Sequence, residues 1–446
     1  MSTEMENIKN YKDFYSNIDE HLSTMSIEDI LFHWDELEDE ERLRLFLKLA
    51  KDRRAELVRE LSKNHQELLI KNLSAQNTKT LLKEMEPDDL VDFIQNISPE
   101  VRSSVWESLS DESRKETEFL LKYDEDDAAG LMTPRYVAVQ ASITVSQALA
   151  FVRRNLEEVE TIYYIYVVDQ LKRLMGVVSL RELLSAKDNK IIGDIMERDI
   201  IFVQDETDQE EVARTLENHD LIAIPVLDKY HRLLGIVTFD DVIDVIREEQ
   251  TEDIYKMGAM DGNIDPYLDT SLFGLVKKRL PWLSILLIAG LFTANVMDLY
   301  NYLSATLGFL FLFVPSITQT GGNCGTQSAT LMIRGLATGE VHFKDFGKIV
   351  IKELFVGITI GIIMATIMLV RNYFFFHDLQ ILQLFTISFS LIFVVITSTL
   401  IGAMVPLILH KLKFDPTVAA GPLMATVIDV LGLTIYFELN KIILLH

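Results

Sequence analysis

The chain of 446 residues carries 67 acidic against 42 basic side chains, a formal net charge of −25. At roughly 100 to 200 residues per domain it is too long for a single small module. The charge is split, with 59 acidic and 31 basic residues in 1–272 and 8 and 11 after it. An acidic part of about −28 therefore precedes an apolar part of about +3, which excludes nucleic acid, because a polyanion needs basic patches to displace its counterions, and leaves cations as natural ligands.

The opening MSTEMENIKNYKDF lacks the apolar stretch of a signal peptide, so the acidic part is expected to stay in the cytoplasm. Residues 20–128 read as an all-α, acidic N-terminal domain. Ile30, Leu31, Trp34 and Leu37, then Leu43, Leu45, Phe46 and Leu49, recur at helical spacing. Ser74 to Thr78, Glu86-Pro87-Asp88 and Ser98-Pro99-Glu100 supply the cap residues and prolines that fit helix starts. A helical bundle or short superhelix follows.

Residues 129–247 repeat themselves, as units 129–190 and 191–247. Met132-Thr133-Pro134 opens the first unit, which carries Ile165 to Asp169 and Leu174 to Ser179. Met196-Glu197-Arg198 opens the second, with Ile224 to Asp228 and Leu233 to Thr238. Each unit reads helix, strand, turn, strand, helix, the polar turn after the Asp marking a tight hairpin. This α/β pair resembles tandem CBS (cystathionine-β-synthase) modules, a regulatory fold attached to enzymes, channels and transporters.

Residues 248–276 read as an acidic connecting helix, and 277–446 as an α-helical membrane domain of five spans. The apolar runs are about 281–300, 303–320, 349–370, 384–409 and 418–445, each close to the roughly 20 residues a hydrocarbon core requires. Lys277, Lys278, Arg279, Arg334, Lys344, Lys348, Lys411 and Lys413 fall on the opposite side from the loop holding Arg371. The bias of basic residues to the cytoplasmic side then places the N-terminus inside and the C-terminus outside a plasma membrane.

Asp429 is read as the one acidic residue deep within a span, with Glu438 nearer the outer end. A charge at mid-helix costs about 2.5 to 3.5 kcal/mol on insertion scales, so Asp429 either bonds a neighbouring helix or lines an ion path. An oxygen-only path suits Mg²⁺, which sheds water reluctantly. One Asp per chain does not compensate a divalent ion, whereas a two-fold dimer brings two. Gly321-Gly322-Asn323-Cys324-Gly325-Thr326-Gln327-Ser328-Ala329-Thr330 permits either close helix packing or a break whose carbonyls line a path. Asn323 and Gln327, four apart, favour a polar pore wall. Cys324, the chain's single cysteine, forms no disulfide framework and reads as a small buried residue. In the acidic part Asp88 and Asp92, and Asp241 and Asp244, each share a helix face, followed by Glu248, Glu249, Glu252 and Asp253. No Gly-rich Walker loop, nucleophile elbow or Cys/His cluster supports an enzyme, and a membrane-embedded hydrolase ranks far below transport.

Together the helical acidic domain, the CBS pair, the glycine-rich segment, Arg334-Gly335-Leu336-Ala337 and Gly421-Pro422-Leu423-Met424-Ala425-Thr426 with Asp429 closely resemble the MgtE family of bacterial magnesium channels. The resemblance covers essentially the whole chain. It implies a Mg²⁺-selective homodimer with one central pore, closed when cytosolic Mg²⁺ binds the soluble domains, so that Mg²⁺ is both cargo and regulator. It assigns Asp429 and the Ala425 carbonyl to the hydrated ion. Regulatory ligands would be Glu56, Asp88 and Asp92, then Glu210, Asp220, Asp241 and Asp244, then Glu249, Glu252 and Asp253. Asp415 matches the residue that meets the connecting, or plug, helix in the closed state. Gly421, on the pore wall, stands where some relatives carry an amide. Some relatives bind ATP between CBS modules, and no adenine pocket is legible here. The alternatives are a CBS-regulated transporter of Mn²⁺, Co²⁺ or Ni²⁺, or a nucleotide-sensing one.

Overall fold

A computed structural model describes residues 25–156, 158–260, 267, 270–417 and 421–445. The opening stretch read for a signal peptide, residues 20–24 of the predicted first domain, most of 261–269 in the predicted connecting segment and the first residues of the predicted fifth span lie outside them. The chain divides into two compact units, residues 1–249 and 250–446.

The first unit begins with eight short helices: α1 (Ile27–Trp34), α2 (Asp39–Lys48), α3 (Lys51–Glu60), α4 (Lys63–Asn72), α5 (Ala75–Glu84), α6 (Pro87–Asn96), α7 (Pro99–Ser108) and α8 (Asp111–Leu120). Their starts are written in the sequence. The Ser26 hydroxyl accepts from the Asp29 N–H while the Asp29 carboxylate accepts from the Ser26 N–H, and Pro87 and Pro99 occupy first helical positions, where a missing N–H costs nothing. Helices two apart pack together, α1 on α3, α2 on α4, α3 on α5 and α5 on α7, which winds them into a short superhelix around Trp34, Phe46, Leu57, Leu81 and Phe93.

The repeat folds as two like modules. In the first, β1 (Ala138–Gln140), α9 (Val145–Arg154), β2 (Tyr164–Val168), β3 (Leu174–Ser179) and α10 (Leu180–Ser185) form a sheet with β1 parallel and β3 antiparallel to β2. In the second, β4 (Val203–Gln204), α11 (Gln209–Asn218), β5 (Ala223–Leu227) and β6 (Leu233–Thr238) repeat that order. The turns match residue for residue. The Asp169 carboxylate accepts from the Leu171 and Arg173 N–H groups, and Asp228 from those of Tyr230 and Arg232. Lys172 and His231 take the left-handed conformation, at φ 62° and 59°.

The opening segments are exchanged between the modules. Met132 packs in the core of the second and Thr133 bridges Ile236 of β6, while Met196 packs in the core of the first. A Cβ on Gly235 would lie 2.8 Å from Met132 Sδ, and one on Gly176 2.6 Å from Met196 Sδ. The glycine in each second strand therefore admits a methionine from the other unit, and the sequence repeat is offset from the folded module.

The last CBS helix, α12 (Phe239–Met257), continues without a break into the predicted connecting segment but stops at Met257, short of the expected end at 276, where Gly258 to Met260 form a turn with Ala259 at φ 53°. The second unit then holds α13 (Leu272–Leu299), a short α14 (Ser304–Leu307), α15 (Val314–Ala337), α16 (Phe346–Phe375), α17 (Ile381–Lys411) and α18 (Pro422–Leu445). Four helical stretches among the described residues, 272–299, 301–337, 343–375 and 381–411, are long and apolar enough to cross a membrane. The predicted fifth span is α18, whose 24 residues reach about 36 Å at 1.5 Å per residue. This is an α-helical, multi-pass membrane domain. No residue of α13 is fully buried, although Val296 and Met297 near its end pack against the core that holds Tyr300 and Phe437.

The second span departs from the expected 303–320. Short helical turns fill 301–313, and α15 then runs through the glycine-rich segment to Ala337 without a break. The glycines serve close approach instead. A Cβ on Gly321 would press on Val394, Ser398 and Ile428, one on Gly325 on Ile428, and one on Gly402 on the Gly325 carbonyl, so α15 is drawn tightly onto α17 and α18.

Candidate functional site

Tight packing gives α15 two unlike faces. Gly321, Cys324, Gly325 and Ser328 are buried, while Gln319, Asn323, Gln327 and Thr330 are exposed along the other side. Amides turned outward from a membrane-crossing helix require water or a polar partner, because hydrocarbon offers them neither. Ala425 and Asp429 share one face of α18 and are half-buried, and a Cβ on Gly322 would meet that of Ala425 at 3.9 Å. Asp429 thus stands on a helix that packs directly on α15, next to its polar face. These groups offer only oxygen acceptors and water, the donor set of a hard, hydrated cation.

A second site lies in the first unit. Asp88, Asp89 and Asp92 on α6 face Asp241, Asp244 and Glu248 on α12 across a cavity of about 450 Å³. Arg59 reaches Asp89 at 3.9 Å, and Arg247 reaches Asp244 at 3.3 Å. Burial, and next Asp241, push the Asp88 carboxyl well above its usual range. Burial lifts Asp89 to about 7 against the opposing pull of Arg59. Asp241 rises to about 6 through burial although the Thr238 hydroxyl bonds it, and Glu160 to about 8 through burial and then Glu86 and Asp241. Two buried oxygens on this lining, Asp88 Oδ1 and Gln66 Oε1, accept no hydrogen bond among the described residues. The residues present therefore fit a regulatory cation. Among the described residues no three His, Cys, Asp or Glu side chains converge closely enough to hold a metal ion directly.

The end of α12 forms a third feature, within the second unit. Lys256 Nζ lies 2.9 Å from Glu252 Oε1 and 2.9 Å from Asp415 Oδ2. The Asp415 carboxylate also accepts from the Thr417 N–H at 2.8 Å. Hydrogen bonds from Thr417 and Lys256 outweigh burial and hold Asp415 below the usual carboxylate range. Met257 packs against the cluster of Ala329, Ile333, Met424 and Ile428, and its carbonyl leaves no room for a Cβ on Gly421. The helix end is thus seated on α15 and α18.

Among the residues singled out from sequence, Asp88, Asp92, Asp241 and Asp244 meet at one cavity. Glu56, on α3, is exposed there without lining it. Glu210 is exposed and pairs with Arg214 at 2.9 Å, and Asp220 is exposed at φ 51°. Glu249 accepts from Gln209 Nε2 at 2.7 Å, Glu252 pairs with Lys256, and Asp253 is half-buried. Sequence reasoning missed Asp89, because nothing local marks which carboxylates of an acidic chain turn inward. It also passed over Glu353 when it weighed Asp429 and Glu438. Glu353 sits on α16, within the predicted third span, only 7% exposed.

A superhelical domain, a CBS pair and a multi-pass helical domain with a polar exposed face on α15 define a CBS-bearing membrane transport protein. The profile described as MgtE, divalent cation transporter, matches residues 314–439, the MgtE intracellular N domain matches 25–126, and the CBS domain matches 128–189 and 192–248. The chain belongs to the MgtE family, which consists of transporters and not of enzymes. It is 41% identical over 336 residues to the magnesium transporter MgtE of Thermus thermophilus, covering 75% of this chain and 74% of that one. It is 35% identical over 328 residues to that of Enterococcus faecalis, covering 74% and 71%. A crystal structure of the cytosolic domain of the Mg²⁺ channel MgtE in complex with ATP aligns at 42% identity over 51% of this chain and 92% of that one, with a TM-score of 0.49.

Proposed function

We propose that this chain is a Mg²⁺ channel for magnesium uptake across the bacterial plasma membrane, closed by Mg²⁺ bound to its acidic domains. Three relatives at 35 to 41% identity are named magnesium transporters. The domains are 20–128, 129–247, 248–276 and 277–446, with the N-terminus in the cytoplasm and the C-terminus outside. A homodimer would bring two Asp429 carboxylates and two rows of Asn323 and Gln327 around one path, matching the charge of a divalent ion.

The observation that carries the gating is the acidic cavity. Two unit charges about 6 Å apart repel by roughly 3 kcal/mol at an effective dielectric near 20, so α6 and α12 face each other unfavourably without a counter-ion. Bound Mg²⁺ reverses that sign. At high cytosolic Mg²⁺ the ions hold the helical domain against the CBS pair, and the helix end is kept at Asp415. At low Mg²⁺ repulsion releases it. A ligand shifts such an equilibrium only through its different affinity for the two states, and here the carboxylates converge only in the closed one. The test is Mg²⁺ flux through the full-length protein in liposomes across a range of Mg²⁺ on the cytoplasmic side. Flux that falls as Mg²⁺ rises is expected, and flux independent of it would remove the gate.

A further inference from the structure

Glu353 has no part in the path or the cavity described above. It lies on α16 inside the membrane domain, only 7% exposed, where a carboxylate persists only with a specific reason to be there. Its Oε2 accepts from the Ser328 hydroxyl of α15 at 2.9 Å, and its backbone carbonyl accepts from the Thr399 hydroxyl of α17 at 3.4 Å. Three helices meet at this one residue. The backbones are close here, because a Cβ on Gly357 would lie 3.0 Å from the Ile396 Cα of α17.

Ser328 belongs to the buried face of α15, and Asn323 and Gln327 to the exposed one. On a helix those faces are fixed relative to each other, so whatever sets the rotation of α15 at Ser328 also sets where the two amides point. Apolar contacts around glycines define how close the helices come but tolerate rotation and sliding. A hydrogen bond from the Ser328 hydroxyl to a carboxyl oxygen in a low-dielectric setting adds direction.

We propose that Glu353 is a positioning residue of the ion path: by accepting the Ser328 hydroxyl it fixes the rotation of α15 and so aims Asn323 and Gln327. The proposal rests on the reading of those amides as pore wall. It does not place Glu353 on the ion, so its charge is dispensable where its acceptor is not.

The test uses the full-length protein in liposomes at low internal Mg²⁺, with flux per folded protein and the Mg²⁺ to Mn²⁺ preference as readouts. Glu353→Ala and Ser328→Ala should each lower flux by about tenfold, the lower end of what losing an outer partner costs a metal site, and shift the preference the same way. The double variant should be no worse than either single one, because both remove one interaction. Glu353→Gln keeps an acceptor oxygen and should stay near wild type. If Glu353→Ala fails to fold, Ser328→Ala and Glu353→Gln decide. Wild-type flux and preference in Ser328→Ala overturn the proposal, and so does Glu353→Gln as inactive as Asp429→Ala, which would make Glu353 an ion-binding charge. Normal flux in Asp429→Ala would instead overturn the pore reading itself, and this proposal with it.

Discussion

Lys256 and Asp415 are joined by an ion pair of 2.9 Å between the end of α12 and the loop before the last membrane helix. The same ammonium holds Glu252 at 2.9 Å, so one side chain of the helix neutralises two carboxylates that would otherwise repel. In the proposed gate Lys256 acts as a tethered cation that keeps the helix end seated. Lys256→Gln should make closure harder. The pair is partly open to solvent and is worth roughly 0.5 to 1 kcal/mol, so the Mg²⁺ needed for half-inhibition should rise about two- to fivefold. Flux measured against cytoplasmic Mg²⁺ decides it, and an unmoved midpoint removes Lys256 from the gate.

Asp429 is expected to be essential for permeation. Asp429→Ala removes the charge that offsets partial desolvation of the ion, and flux should vanish although the protein folds. Asp429→Glu keeps the charge at a shifted position and should retain some flux. Liposome assays at equal protein density give the answer, and wild-type flux in the alanine variant would falsify the pore assignment.

The exposed amides of α15 should rank second. Asn323→Leu or Gln327→Leu dries one wall of the path without touching the buried face of the helix. Reduced flux or an altered Mg²⁺ to Mn²⁺ preference is expected. Unchanged behaviour of both variants would leave that face a packing surface.

Removing the sensing carboxylates should separate gating from conduction. Asp88→Ala, Asp92→Ala, Asp241→Ala and Asp244→Ala combined take four carboxyl groups from one cavity. Mg²⁺ inhibition should weaken while flux at low Mg²⁺ stays intact. An inhibition curve that coincides with wild type contradicts this sensor.

The raised carboxyls predict a pH dependence of known sign. Folding lifts Asp241 to about 6, Asp89 to about 7 and Glu160 to about 8, against roughly 4 in an unfolded chain. Between about pH 4 and 8 the folded unit binds more protons than the unfolded one, so its stability falls as pH rises through that window. In chelator the melting temperature should drop by several degrees from about pH 5.5 to 8, each kcal/mol being worth about 2 to 4 °C in a unit of this size. Saturating Mg²⁺ should flatten the slope, and parallel slopes with and without Mg²⁺ would dissociate the cavity from the ion.

The sequence by itself determined what depends on neighbours along the chain. Helix starts at Ser26, Pro87 and Pro99 are local hydrogen-bonding facts, the hairpin turns after Asp169 and Asp228 are set by carboxylates reaching N–H groups two and four residues on, and apolar length alone marks the spans. Asp429 was legible because a carboxylate in an apolar run is conspicuous wherever it stands. Tertiary structure decided the rest. Whether the glycines of α15 break or pack a helix turns on Val394, Ser398 and Ile428 of other helices, since a helical glycine costs only about 1 kcal/mol and close approach can offset it. The exchanged opening segments, the meeting of α6 with α12, and the joining of Ser328 to Glu353 link residues 20 to about 150 positions apart. Such contacts form only when packing chooses which of many similar carboxylates, serines and glycines turn inward, and a one-dimensional pattern carries no record of that choice.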